Sequence, residues 1–344
     1  MWGAGGAKGN RKLYSVAQAI LRLEKMERFS DMQRQKRIRI VHELAVWIFI
    51  VAAPLALSAL VGAQAPQPDG GGVRRGVLPD RWKASGPECP ANPEFQVHEY
   101  NEDLYILRES GCSNYEKPFL YLLFGKDKVL LLDTGAGKTD MAQVVKRVVD
   151  SWASRNKREA IPLIVAHTHA HGDHIAGDEQ LKMLPQTTVI VPNPGAVQAF
   201  FGMRNWPNEI VTFDLGNRVL DVIPIPGHEA SSIAIYDRQT GILFTGDTLY
   251  PGRLYVSDAP AFVASVRRLV EFTDGKIVAH VLGNHIEQTR TPYLDYPIGT
   301  VYQPEEHELA LGRGALLELD AALTKMNSKI VKIALRDFTI WPHD

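Results

Sequence analysis

A short apolar segment that runs into a cluster of histidines places the strongest constraint on the fold of this chain. Residues 161–166 read Ile-Pro-Leu-Ile-Val-Ala, and His169-Ala170-His171-Gly172-Asp173-His174 begins three residues later. A continuous apolar run of this length is typical of a strand that is buried on both faces. The histidines therefore lie in the loop at the end of a buried strand, where a rigid scaffold presents functional groups.

The composition of this loop predicts a metal site. Three imidazoles and one carboxylate within six residues form a ligand set that suits zinc. In such a loop His169 and His171 can point to one metal ion, while Asp173 and His174 turn to a second. A polar loop that contains histidines by chance is the weaker interpretation, because the ligands are so dense.

The pattern His-x-His-x-Asp-His after an apolar strand resembles the signature of the metallo-β-lactamase superfamily. Other segments resemble further motifs of that family in the same order: Asp133, Pro226-Gly227-His228, Phe244-Thr245-Gly246-Asp247 and Gly283-Asn284-His285. The resemblance covers roughly Phe95 to His285. It implies an α/β fold, a four-layer αββα sandwich in which helices cover the outer faces of two packed sheets.

The resemblance also implies a ligand set for two metal ions. The expected ligands are His169, His171 and His228 for the first ion, Asp173, His174 and His285 for the second, and Asp247 as the bridge. Asp173 is further expected to orient the reacting water as a catalytic residue, and Asp133 to support the site without binding metal. Two zinc ions per chain are expected, with iron or manganese less favoured. Such a pair shares a bridging hydroxide, a nucleophile that exists at neutral pH because the ions lower the pKa of water.

Two departures from the family patterns narrow the reaction. True metallo-β-lactamases usually have Cys or Ser at the position of Asp247, so this chain is more similar to glyoxalase II, lactonases and other ester or thioester hydrolases. Glyoxalase II usually has Thr at the position of Glu229 and a helical glutathione-binding domain, whereas only 59 residues follow His285 here. The expected function is hydrolysis of a carboxylic ester, lactone, thioester or amide. A β-lactamase, a mono-iron oxidoreductase similar to persulfide dioxygenases and a non-catalytic zinc protein are the alternatives.

The charge of the chain limits its partners. Residues 64–344 carry 28 Lys and Arg against 35 Asp and Glu. A nucleic-acid binder normally has the opposite balance, because neutralising phosphates supplies most of its affinity. We therefore expect a small-molecule substrate and no nucleic acid, and the sequence leaves the oligomeric state open.

The N-terminal region has the pattern of an export signal. Leu44–Val61 is an uncharged apolar run that follows four basic residues and precedes Ala63-Gln64-Ala65. A basic region, an apolar region and an A-x-A-like end are typical of a secretory signal. The run is also near the lower length limit for a bilayer span, so an uncleaved membrane anchor stays open. The expected location is periplasmic or secreted, or else membrane-anchored.

Four segments follow from this interpretation. Residues 1–31 either precede a true start at Met32 or form a cytoplasmic tail, residues 32–65 are the signal or anchor, residues 66–90 are a flexible linker, and residues 91–344 are the catalytic domain. Cys89 and Cys112 are the only cysteines. In an exported protein we expect them to form a disulfide, with Cα atoms within about 7 Å.

Periodicity predicts helices over Thr139–Ala153 and Glu305–Met326, and a closing strand over Lys329–Ile340. Other residues have two interpretations. Two interpretations stay open for Phe200, Phe201, Met203 and Trp206: an apolar wall beside the metal ions, or ordinary core packing. Two interpretations also stay open for a second group, which either lines the mouth of the cleft or has plain surface or packing roles: Tyr250, Arg253, Tyr255, Arg290, Tyr293 and Tyr296. We expect His167 to lie outside the ligand set and His280 to be a packed histidine.

Overall fold

Short apolar strands build the first of two six-stranded sheets. The computed structural model describes residues 73–86, 88–327 and 329–343. The first sheet contains, in spatial order, β1 (Phe95–Asn101), β2 (Leu104–Glu109), β3 (Phe119–Phe124), β4 (Val129–Leu132), β5 (Leu163–Ala166) and β6 (Thr187–Val189). The strands are antiparallel from β1 to β4 and parallel from β4 to β6. Every residue of β2, β3 and β4 is buried, because both faces of the sheet are covered.

The second sheet uses the later part of the chain. Its strands, in spatial order, are β7 (Val211–Asp214), β8 (Val219–Pro224), β9 (Ile233–Asp237), β10 (Ile242–Gly246), β12 (His280–Gly283) and β13 (Ala310–Leu311). Only β10 and β12 pair in parallel among these strands. A small third sheet joins β11 (Arg253–Val256), β15 (Thr339–Pro342) and β14 (Ile333–Ala334).

Six α-helices and one 3₁₀ turn, Cys89–Ala91, accompany the sheets in the described residues. The helices are α1 (Met141–Arg155), α2 (Gly172–Ile175), α3 (Asp178–Leu181), α4 (Pro194–Phe201), α5 (Ala259–Phe272) and α6 (Arg313–Met326). Aspartates cap two of the three longest helices: Asp140 accepts a hydrogen bond from Gln143 N, and Asp258 accepts one from Ala261 N. Such caps satisfy amides that lack a partner inside the helix.

Three hydrophobic clusters define four layers. The central cluster joins the inner faces of the two sheets, for example through Tyr121 and Phe244. A second cluster packs Val145 of α1 against the outer face of the first sheet. A third packs α5 and α6 against the outer face of the second sheet. The expected αββα order is therefore confirmed.

A buried ion pair joins the sheets at the end where β8 begins. The Nη2 atom of Arg218 lies 2.7 Å from Asp237 Oδ2, and Nη1 donates to the main-chain oxygen of Phe124 at 3.1 Å. Arg218 is only 2% exposed and Asp237 is fully buried. Burial of these charges is tolerated because each is paired and hydrogen-bonded.

Two predicted elements near the C-terminus are wrong in their extent. The helix predicted over Glu305–Met326 begins only at Arg313. Before it, Glu306 pairs with buried Arg108, whose Nη1 lies 2.7 Å from Glu306 Oε2, and β13 pairs with β12. The segment Lys329–Ile340 is not one strand, because β14 and β15 fold back on each other as an antiparallel pair.

The N-terminal predictions concern mostly residues outside the described ranges. The predicted signal or anchor, residues 32–65, and the 31 residues before it lie there. Among the described residues no helix has the length and apolarity needed to cross a membrane. Residues 73–86 of the predicted linker run along β1, where Val77 N donates to Tyr100 O at 2.9 Å and Lys83 N donates to Gln96 Oε1 at 2.7 Å.

The predicted disulfide is confirmed. Cys89 and Cys112 are bonded; their Cα atoms are 5.4 Å apart, and the two residues are 23 positions apart in the sequence. The bond ties the 3₁₀ turn to the loop between β2 and β3. It therefore restrains the unfolded chain by closing a loop of moderate length.

Reduction of this disulfide should lower the free energy of unfolding by about 3 kcal/mol, the loop-closure value for a chain segment of this size. Chemical denaturation with and without a reducing agent measures the difference. The double variant Cys89→Ser with Cys112→Ser is the control and should be insensitive to the reducing agent. Equal stability of the oxidised and reduced wild-type protein would contradict the expectation.

A buried glutamate at the end of β2 makes the stability depend on pH. Glu109 is fully buried, its Oε2 accepts from Ala136 N at 2.8 Å, and its Oε1 has no hydrogen-bond partner among the described residues. Burial raises the pKa of this carboxyl from 4.5 to about 7. The folded protein thus binds the proton more tightly than the unfolded chain. The associated stability is fully present below pH 4.5 and is lost as the pH rises through 7.

The substitution Glu109→Gln should remove this pH dependence. Relative to wild type, the free energy of unfolding of the variant should rise between pH 4.5 and pH 8, by roughly 2–3 kcal/mol. Urea denaturation of both proteins at the two pH values, in the presence of a chelator, measures the change. Parallel stability profiles of variant and wild type would show that Glu109 ionises normally.

Candidate metal centre

Four strand ends meet at one edge of the sandwich and carry the histidines and aspartates. In chain order, β5 leads to His169, His171, Asp173 and His174, β8 leads to His228, β10 ends next to Asp247, and β12 ends two residues before His285. The ligand-bearing loops therefore come from both sheets. Their positions are set by rigid strands, which favours precise placement of the side chains.

Two glycines let these loops approach closely. Gly227, before His228, has a φ of +138°, and a Cβ there would lie 2.3 Å from the Cα of Phe262. Gly246, before Asp247, has a φ of +54°, and a Cβ there would lie 2.7 Å from the Cβ of Thr168. Both positions need a residue without a side chain, because the backbone conformation and the space exclude one.

The first group of candidate ligands consists of three imidazoles. The Nδ1 atom of His171 lies 2.9 Å from Nε2 of His169 and 3.0 Å from Nε2 of His228. Two nitrogens bound to one tetrahedral zinc at about 2.0–2.1 Å are about 3.3 Å apart. The three nitrogens can therefore share one ion after small adjustments.

The second group contains a carboxylate. The Nε2 atoms of His174 and His285 lie 3.2 Å apart, and each lies 3.3 Å from Oδ2 of Asp173. These separations also suit ligands of a single ion.

Asp247 lies between the two groups. Its Oδ2 is 3.4–3.8 Å from the Nε2 atoms of His169, His174, His228 and His285. Its Oδ1 is buried and lacks a hydrogen-bond partner among the described residues. A buried carboxylate oxygen without a donor is a position that a cation would satisfy. The structure thus brings all seven predicted ligands into one cluster, and their chemistry fits zinc.

The imidazoles divide into two electrostatic classes. Burial lowers the pKa of His169 and of His228, so both are neutral, the form that binds metal. Burial also opposes a charge on His174 and His285, but the neighbouring carboxylates of Asp173 and Asp247 outweigh it and raise the pKa of both imidazoles well above the usual value.

The carboxylates of the cluster are held in their charged form. Burial would raise the pKa of Asp247 and of Asp173, but the imidazoles of His174 and His285 hold both values well below the usual range. The two charged aspartates and the two charged imidazoles therefore compensate each other, and a metal dication can take the place of the imidazole protons.

Main-chain carbonyls orient the histidines from outside. His228 Nδ1 lies 2.9 Å from the carbonyl oxygen of Tyr255, and His285 Nδ1 lies 2.8 Å from that of Glu116. A carbonyl can only accept, so each Nδ1 carries a proton, and each Nε2 faces the centre as the atom that would bind a metal ion. Sequence reasoning did not identify these two partners, and no sequence signal marks a carbonyl group.

Asp133 supports the site without facing it. Its carboxylate is fully buried. Its four donors, at 2.7–3.1 Å, are Thr168 N, Thr168 Oγ1, Asn284 Nδ2 and His174 Nδ1. Thr168 precedes His169 and Asn284 precedes His285, so Asp133 contacts both ligand loops.

The remaining candidates lie outside the ligand cluster. His167 Nε2 is 2.8 Å from Asp178 Oδ1, and the ring of His280 packs edge-on against Tyr100. The proposed apolar wall packs in or against the central core cluster: Phe200, Phe201, Met203 and Trp206.

A cavity of about 110 Å³ is lined by Ile286, the residue that follows His285. Arg253 and Tyr255 line it together with Tyr115, Lys117 and Glu287. Of the other predicted mouth residues, Tyr250 is buried with its ring 5.5 Å from that of His285. Arg290 borders a larger cavity of about 500 Å³ between residues 78–82 and 303–310, away from the ligands.

Comparison with known proteins gives a consistent assignment. The model of the metallo-beta-lactamase superfamily matches residues 118–311, more than half of the chain. Acyl-coenzyme A thioesterase MBLAC2 of Bos taurus is 25% identical over 227 residues, which cover 56% of this chain and 81% of the relative. Hydroxyacylglutathione hydrolase of Chelativorans sp. is 35% identical over 113 residues, which cover 32% of this chain and 44% of the relative.

Among solved structures, a metallo-beta-lactamase from Pontibacter korlensis superimposes with a TM-score of 0.45 and 17% identity, covering 67% of this chain and 99% of that one. The family match spans the strands from β3 to β13, the ligand loops and the order of motifs described above. On this basis, the chain belongs to the metallo-β-lactamase superfamily.

Proposed function

We propose that this protein is a dinuclear zinc hydrolase of carboxylic acyl derivatives, with acyl thioesters as the preferred class. The observation that carries the proposal is the cluster of seven ligand side chains, with the carboxylate of Asp247 between two groups of three. His169, His171 and His228 would hold one ion, and Asp173, His174 and His285 the other. When bound, the ions would lower the pKa of a water molecule and polarise the carbonyl group of the substrate.

The chain's own residues then determine access and orientation. His171 is exposed whereas His169 and His228 are buried, so the centre opens to solvent on the side of His171. The side chain of Asp173, two residues after His171, is 22% exposed. Its charged carboxylate can accept a hydrogen bond from a reacting water and orient it towards the substrate carbonyl.

The choice of thioesters rests on two relatives whose named substrates carry different thiols, coenzyme A and glutathione. One hydrolyses acyl-coenzyme A and the other hydroxyacylglutathione, and both names describe the cleavage of an acyl–sulfur bond. Asp247 also favours a thioester over a β-lactam as the substrate, because true metallo-β-lactamases usually have Cys or Ser at this position. An ester, lactone or amide substrate and a mono-iron oxidation are the outcomes against which the proposal is tested.

We also propose that the protein is exported, either cleaved near Ala65 or anchored. The basic and apolar pattern of residues 34–61 and the disulfide between Cys89 and Cys112 support this location, because disulfides persist in oxidising compartments. N-terminal sequencing of the protein from fractionated cells tests it. A reduced cytoplasmic protein that retains residues 1–31 would contradict the proposal.

The purified protein should contain two zinc ions per chain and should hydrolyse thioesters faster than esters, lactones and β-lactams. Elemental analysis measures the metal, and a thiol-trapping assay with acyl-coenzyme A and acylglutathione substrates measures the reaction. A chelator should abolish the activity and added zinc should restore it. One iron per chain, or oxygen consumption with a persulfide, would instead establish the oxidoreductase.

Asp247→Ala should bind less zinc and lose activity by more than the 10–100-fold typical of residues that only support ligands. The physical reason is the loss of the carboxylate that lies within 3.8 Å of four imidazoles. The matched control is Asp274→Ala, because the side chain of Asp274 is 86% exposed and its charged partner is Arg313 rather than a residue of the ligand cluster. Full metal content and activity in Asp247→Ala would refute the assignment of the centre.

A further inference from the structure

The two loops that carry the three-imidazole group meet at a single carboxylate. Glu229 follows His228 directly, and its Oε2 accepts a hydrogen bond from the main-chain nitrogen of Ala170 at 3.3 Å. Ala170 stands between His169 and His171 in the sequence. The loop after β5 carries His169 and His171, and the loop after β8 carries His228. The Oε2 atom of Glu229 therefore links the two loops.

Contacts within its own loop fix the orientation of this carboxylate. The same Oε2 accepts from Ser231 N at 2.8 Å and from Ser231 Oγ at 2.5 Å. Ser231 is 1% exposed. The main-chain nitrogen of Glu229 in turn donates to Ser232 Oγ at 3.3 Å. With three donors on one oxygen, the side chain is held in place and does not sample solvent freely.

Glu229 supports the ligand group that has no carboxylate of its own. The second ligand group contains the carboxylate of Asp173, whereas the first consists of imidazoles alone apart from the shared Asp247. A residue that fixes ligands from outside through hydrogen bonds raises metal affinity, and its loss typically costs 10–100-fold.

From these contacts we infer that Glu229 is a positioning residue for the metal ion of the His169, His171 and His228 group. It holds the two ligand loops at the spacing that a single ion requires and acts through hydrogen bonds to Ala170 and Ser231. The inference rests on the proposed function, since it assumes that this group binds metal. It assigns to Glu229 no contact with metal or substrate.

The test measures zinc affinity by competition with a chromophoric chelator, independently of activity. Glu229→Ala should raise one of the two zinc dissociation constants 10–100-fold, which means weaker binding, and should leave the other nearly unchanged. Glu229→Gln should retain affinity to within a few-fold, because the amide oxygen can still accept from Ala170 and Ser231. Glu318→Ala, at an exposed position of α6, is the matched control and should leave both constants unchanged.

Two backgrounds identify which ion is affected. The variant His285→Ala leaves the first group complete. In this background, Glu229→Ala should still raise the zinc dissociation constant of the remaining site. In His228→Ala, which disrupts the first group, it should have no effect on the remaining constant. A general loss of structure would instead reduce binding in both backgrounds and lower the melting temperature of the metal-free protein.

The outcomes separate the inference from the proposed function. Wild-type affinity in Glu229→Ala, equal loss at both sites, or a loss in Glu229→Gln as large as in Glu229→Ala would overturn the positioning role while the wild-type protein still binds two zinc ions. A wild-type protein that binds no divalent metal would overturn the proposed function, and the inference with it.

Discussion

The hydrogen bonds accepted by the carboxylate of Asp133 are the interaction on which the arrangement of the centre depends. Asp133 directly follows β4 and accepts hydrogen bonds from the loop after β5, in the first sheet, and from the loop after β12, in the second. Hydrogen bonds to a charged group contribute about 1.5–3 kcal/mol each, and a buried carboxylate without donors is strongly unfavourable. The two loops must therefore stay in contact with Asp133, and His174 and His285 keep their relative positions as a result.

The same principle explains why so many charged groups can be buried at one edge of the sandwich. Asp173 and Asp247 are compensated by His174 and His285, whose protons occupy the place that a dication can take. At the other end of the structure, Arg218 and Asp237 neutralise each other without any ion. The difference lies in the chemistry of the groups: imidazoles can give up a proton and become ligands, whereas a guanidinium cannot.

The resemblance of the motifs to the metallo-β-lactamase family was sufficient to predict the layered fold and the identity of the clustered residues, which lie between one and eight positions after the end of an apolar strand. The local order of strand, turn and ligand carries that information. No local sequence pattern predicts contacts between residues that are far apart in the chain. The helix predicted from Glu305 starts at Arg313 because Glu306 pairs with Arg108, 198 positions away. Likewise, the contact of Glu229 with Ala170 spans 59 positions and depends on how the sheets pack.

The division of the chain between the sheets has a consequence for the order of folding. The first sheet uses only residues 95–189 and the second only residues 211–311, so each forms from contacts that are local within one half of the sequence. Closing short loops costs little entropy, and such halves can gain structure before they meet. The clustered side chains, however, are shared out: His169 and His171 belong to the first half and His228 to the second. The centre is thus complete only where the two halves pack together, and a metal ion bound there would cross-link them and oppose their separation.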